Sequence, residues 1–158
     1  MLTMLLAFTS FGLYLAAGAI PALRLLRGPG RSPGKPLMLA LGALALALHA
    51  AVAYLSSLAA GGLYFHFFEA ASMVGLLMAA MTLFFSLRQP AENMGILTLP
   101  LAGAAVLAGL LLGSPEPGAR ALPAGVGVHV YTSLLAYRTL AVAALHAVLL
   151  ALQESRLR

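Results

Sequence analysis

Cysteine, tryptophan and aspartate are all missing from this 158-residue chain, and only 8% of its residues are charged. Without cysteine there are no disulfides, thiolate metal sites or thiol chemistry, and the redox compartment stays open. Without aspartate, four glutamates are the only acids, and they form no paired set for acid–base work. There is also no phosphate loop and no nucleophile with a positioned base, so the chain is not expected to be an enzyme by itself. Ordinary soluble domains carry about 25% charged residues. A chain with so few cannot coat a water-facing surface.

What the sequence has instead is hydrophobic residues, at 62%, gathered into five long stretches. A hydrocarbon core about 30 Å thick needs about 20 apolar residues in helical form, because buried backbone groups must bond to each other. The net charge of +5 and the pI near 10.3 would suggest nucleic acid in a soluble protein. In a membrane chain Lys and Arg mark topology, so nucleic acid is excluded as a partner.

The expected fold is all-α: a polytopic helical bundle of five spans, near residues 2–23, 37–59, 64–87, 94–112 and 126–152, forming one transmembrane domain. Met1 to Leu23 has no positive charge and the basic cluster follows it, which is not the pattern of a cleavable signal. The charge-free run from Pro36 to Phe68 would be about 50 Å long as a single helix, so it must turn, and Gly61 and Gly62 are the natural place. Pro100 falls inside the fourth span, where it should kink the helix or rest on neighbours. Arg24, Arg27, Arg31, Lys35, Arg88, Arg156 and Arg158 fall on one side and only Arg120 on the other. The N-terminus is therefore expected outside and the C-terminus inside. Small residues at 16–19, 40–45 and 102–109 suit close helix packing in lipid. The tyrosines, Tyr14 among them, are the residues left to form an aromatic belt.

Ionisable groups are costly in hydrocarbon, about 2.5 to 3.5 kcal/mol for a charge at mid-helix, so each one marks a cavity, a partner or a ligand. His66 and His129 fall near the outer ends of their spans, His49 near the middle of the second, and His146 about 25 Å deeper than His129. On the fifth span His129, Ser133 and Tyr137 recur at every fourth residue and form one polar stripe expected to face protein. Arg138 points to the other side of that helix, where a long side chain could reach Glu69 as an intramembrane ion pair. Imidazole is a common axial ligand of haem iron, which makes His129 and His66 candidates at the outer level. Interhelical hydrogen bonding and proton relay are the competing roles for the same histidines.

The fifth span and its tail, HVYTSLLAYRTLAVAALHAVLLALQESRLR, resemble the best-marked helix of the cytochrome c assembly protein family (CcsA/HemX/YpjD-like). The resemblance rests on His129, Ser133, Leu134, Leu135, Tyr137, an Ala-rich middle and a Gln153-Glu154 exit before basic residues. His49 in ALALHA, the FFEAASMVGLL stretch around Ser72 and Pro100 in LTLPLAG extend it in outline. It implies a bacterial inner-membrane protein that binds or transports haem or supports cytochrome c biogenesis, with His129 and His49 as haem-linked positions. The likeness is to the amino-terminal half of such proteins, which implies other membrane proteins or a carboxy-terminal half as partners. Their tryptophan-rich haem-presenting motif is absent, which argues against a free-standing haem lyase. A small-solute or ion transporter half, with Arg138 and Glu69 along its path, is the alternative, and a ligand-free membrane scaffold is the third reading.

Overall fold

The computed structural model describes residues 1–27, 34–58, 67–113 and, within 125–147, residues 125, 126, 128–130, 132, 133, 136, 137, 139, 140, 143, 144 and 147. Four helices form the described core: α1 (Leu2–Arg27), α2 (Lys35–Ala53), α3 (Phe67–Arg88) and α4 (Gly95–Leu112). A π-helical turn, Tyr54–Leu58, extends α2, and a 3-10 turn, Glu92–Met94, leads into α4. No strand occurs among the described residues, and those of the 125–147 stretch are helical. All four core helices are long and apolar enough to cross a membrane, and their bounds lie close to the first four expected spans.

Local sequence accounts for the helix ends. Pro36 sits at the start of α2, where its missing N–H costs nothing because first-turn donors have no intrahelical partner. At the other end of α1, Arg24 and Arg27 occupy the last turn, where cations complement the carbonyl end of the helix dipole. Pro100 does not end α4, which continues unbroken on both sides of it.

The helices pack in a ring: α1 on α2, α2 on α3, α3 on α4, and α4 back on α1. Neighbours run antiparallel, as shown by Ala7 clustering with Val106 while Gly18 lies against Pro100. Small residues make this approach possible. A methyl group on Gly18 would stand 2.9 Å from both the Gly95 carbonyl oxygen and the Pro100 ring, and one on Gly75 would stand 2.7 Å from Ala105. The expected small-residue faces thus hold backbones close, where dispersion contact replaces the hydrophobic drive that lipid removes.

The distribution of polarity is inverted relative to a water-soluble protein. Ser10, His49, Ser72, Thr82, Ser86 and Thr98 are buried, while Phe8, Leu44, Phe84 and Leu101 stand about half exposed around the outside. Some of the interior hydroxyls find partners on neighbouring helices, whereas Ser86 Oγ has none among the described residues. Ser10 donates to the Ala45 carbonyl over 2.9 Å, and Thr82 lies 2.9 Å from Thr98, which donates to the Met94 carbonyl. Such an arrangement is stable where the surroundings are hydrocarbon and is costly in water. Tyr14 departs from expectation: it is fully buried at mid-helix instead of standing in an interfacial belt. Hydropathy alone cannot distinguish the two positions, because a tyrosine hydroxyl is satisfied equally by a headgroup or by a buried partner.

Candidate functional site

His49 is the centre of the core's polar chemistry. It lies on α2 with no exposed surface, between Tyr14 of α1 and Ser72 of α3. Nδ1 lies 3.4 Å from the Tyr14 hydroxyl and Nε2 lies 3.0 Å from Ser72 Oγ. With the proton on Nε2, Tyr14 donates to Nδ1 and the ring donates to Ser72; the other tautomer reverses both roles. The Tyr14 and His49 rings meet edge to face, with centroids 5.9 Å apart. Three helices are therefore joined at one imidazole, and the first contact is long enough to be the weaker of the two.

Gly109 on α4 explains how Ser72 comes to be enclosed. A methyl group there would stand 2.8 Å from Ser72 Cβ and 3.2 Å from the Phe68 carbonyl. Only a residue without a side chain lets α4 close over α3 at this level. Beside it is a crevice of about 10 Å³ lined by residues including Ser56, Glu69, Ser72 and Gly109. That is room for about one water molecule. Ser56 turns its hydroxyl back to the Val52 carbonyl over 2.9 Å. Glu69 is only partly buried, yet its Oε2 is enclosed and has no partner among the described residues.

The expected site residues separate into three groups. His49 and Glu69 fall in the core, about one helical turn apart through Ser72. His129, Ser133 and Tyr137 lie in the 125–147 stretch, with His129 exposed, Ser133 partly buried and Tyr137 72% exposed. What the stripe faces lies outside the described residues; among them, His129 and Tyr137 are exposed. His66, Arg138 and His146 lie outside the described residues, and with Arg138 so does the proposed pair with Glu69.

His49 fits poorly as a haem ligand in this arrangement. Both of its ring nitrogens are already engaged, and a space for one water cannot admit a macrocycle. His129 fits better, since its imidazole is exposed and no hydrogen bond to the ring occurs among the described residues; the Thr132 hydroxyl bonds only the His129 backbone carbonyl, over 2.9 Å. No group of three or more histidine, cysteine or acidic side chains able to hold a metal ion occurs among the described residues. Tyr14 was the partner sequence reasoning missed. The available signal was that Tyr14 and His49 both stand near the middle of adjacent antiparallel spans, which puts them at one depth. No family model, no curated protein and no solved structure matches the chain.

Proposed function

We propose that this chain is a multi-pass protein of a bacterial inner membrane, of the cytochrome c assembly type, that binds or passes haem. In this reading the 125–147 stretch belongs to a fifth span, the N-terminus is outside, and the basic ends of α1 and α3 face the cytoplasm. The single observation that carries it is the exposed His129 imidazole, in the stretch where the family resemblance is most specific. Haem bound there would supply an iron centre to which a neutral imidazole nitrogen can coordinate. The closed four-helix core acts as the scaffold. Ser133 and Tyr137 add polar groups along the same stripe, and another membrane protein, or further chain, covers the far side of the macrocycle.

The test is spectroscopic. Protein purified in mild detergent from haem-replete cells shows a Soret band; His129→Ala abolishes it, and His49→Ala retains it in whatever fraction remains folded. A colourless wild-type protein rejects the proposal. The transporter reading is favoured by one observation, the enclosed Glu69 Oε2, without a partner among the described residues, beside a crevice of single-water size. It is supported by ion-dependent solute uptake into vesicles that Glu69→Gln removes, together with absence of the Soret band.

A further inference from the structure

At the end of the bundle away from His49, a recess of about 210 Å³ opens between α1 and the turn before α4, lined by Pro21, Arg24, Leu25, Glu92 and Asn93. Its volume is below the roughly 300 Å³ at which small-molecule pockets begin. Arg24 is half-buried in its wall. Among the described residues Arg24 makes no hydrogen bond or salt bridge. The nearest acid is already committed, because Glu92 is held by Lys35 at 3.2 Å, and Lys35 is itself anchored by a hydrogen bond to the Gln89 carbonyl over 3.3 Å. Glu92 thus makes its salt bridge with Lys35 and none with Arg24. Arg88, the next cation on this end, lies over the Phe84 ring at 5.6 Å.

Arg24 feels the Glu92 charge but shares that one carboxylate with Lys35, which holds the salt bridge, so two cations face one acid, and the planar fork of the half-buried guanidinium matches the paired oxygens of a phosphate. We propose that this recess binds the phosphate of an anionic phospholipid, with Arg24 as the principal contact and the Asn93 amide as a second donor. A lipid suits the recess better than free phosphate. Pro21 and Leu25 give it an apolar wall, and the exposed Leu25 and Leu26 carry that wall onto the outer surface of α1, where acyl chains lie. Basic recesses between helices at a membrane face are a recurrent setting for anionic headgroups.

The experiment uses the full chain in neutral detergent micelles doped with equal phosphatidylglycerol and phosphatidylcholine, with retained lipid counted by native mass spectrometry. The expected wild-type result is phosphatidylglycerol enriched about fivefold, the contribution of one cation at an anionic surface. Arg24→Gln brings the ratio near one, while Arg27→Gln, an exposed cation outside the recess, leaves it within about twofold of wild type. Glu92→Gln raises retention by removing the competing acid, and Lys35→Met lowers it by freeing Glu92 to pair with Arg24. Helical circular dichroism is recorded for each variant to show that the bundle persists. Equal loss in Arg24→Gln and Arg27→Gln overturns the proposal, since it indicates diffuse surface charge. Displacement of the lipid by millimolar inorganic phosphate overturns the lipid assignment in favour of the free ion.

Discussion

The closed core and the 125–147 stretch treat histidine in opposite ways. In the core, His49 has a hydroxyl on each nitrogen and no exposed surface; in the other stretch, His129 is exposed and no hydrogen bond to its ring occurs among the described residues. The same side chain thus serves as a joint between helices in one place and stands exposed in the other. Resemblance of sequence alone grouped the two together. Depth and packing separate them, because inside a ring of four close helices an imidazole must be satisfied by the protein itself.

The sharpest way to break that contrast is to truncate each histidine and measure stability. His49→Ala removes a large buried ring and its two hydrogen bonds, and should cost about 2 to 5 kcal/mol, as other large-to-small core changes do. His129→Ala should stay within about 0.5 kcal/mol of wild type, as exposed substitutions do. Thermal melts in detergent, read by circular dichroism, check both. If the two losses were equal, His49 would not be a core joint.

Glycine gives a second contrast of the same kind. Gly18→Ala drives a methyl into the Gly95 carbonyl and Pro100, and should cost about 1 to 3 kcal/mol by overpacking. At Gly12 of the same helix a methyl meets nothing within 4 Å, so Gly12→Ala should instead gain up to about 1 kcal/mol from helix propensity. Unfolding by denaturing detergent reads the difference, and equal effects would mean that α1 and α4 are not in close contact at Gly18.

Smaller again is Ser72→Ala, which removes one interhelical hydrogen bond worth about 0.6 to 1.7 kcal/mol in membrane proteins. In a double-mutant cycle with His49→Ala it should be strongly non-additive, and full additivity would remove the imidazole–hydroxyl bond from the account.

The smallest effect lies at the turn end. Burial pushes the Glu92 carboxyl up, but its own backbone N–H, the Lys35 hydrogen bond and the charges of Lys35 and Arg24 outweigh that, so its pKa lies below the ordinary glutamate range. A carboxylate depressed in the folded state adds stability that is present above its unfolded pKa. That stability is lost as pH falls through the folded value. The pair sits partly exposed at the turn, so the loss should be about 1 kcal/mol, the upper end for surface ion pairs. Melting temperature should fall less on acidification below pH 4.5 in Glu92→Gln than in wild type, and an identical acid response would exclude the pair.

Much of the fold was legible because a membrane span is written in composition. Apolar runs bounded by Arg24 and Arg27, Lys35, Arg88 and Glu92, with a break placed at Gly61 and Gly62, located four helices within a few residues. The ring order was not legible, since the outward and inward faces of such helices are both apolar and no amphipathic stripe tells them apart. The site divided along the same line. His49 and Glu69 were marked by the cost of polarity in lipid, but Tyr14 was not, because its burial depends on which helix lies opposite. Gly109 likewise looked like one small residue among many until Ser72 was found beneath it.

The central claim is that the half-exposed apolar surface of this bundle faces lipid. The absence of cysteine lets single reporters test it with no background. Leu44→Cys and Leu101→Cys, 52% and 47% exposed in the wild-type leucines, should resist a membrane-impermeant charged maleimide in native membranes and in their sonicated fragments, and react fully after denaturation in dodecyl sulfate. Asn93→Cys at the turn should react in the fragments without denaturation. Rapid labelling at positions 44 and 101 in intact membranes would place that surface in water and contradict the account.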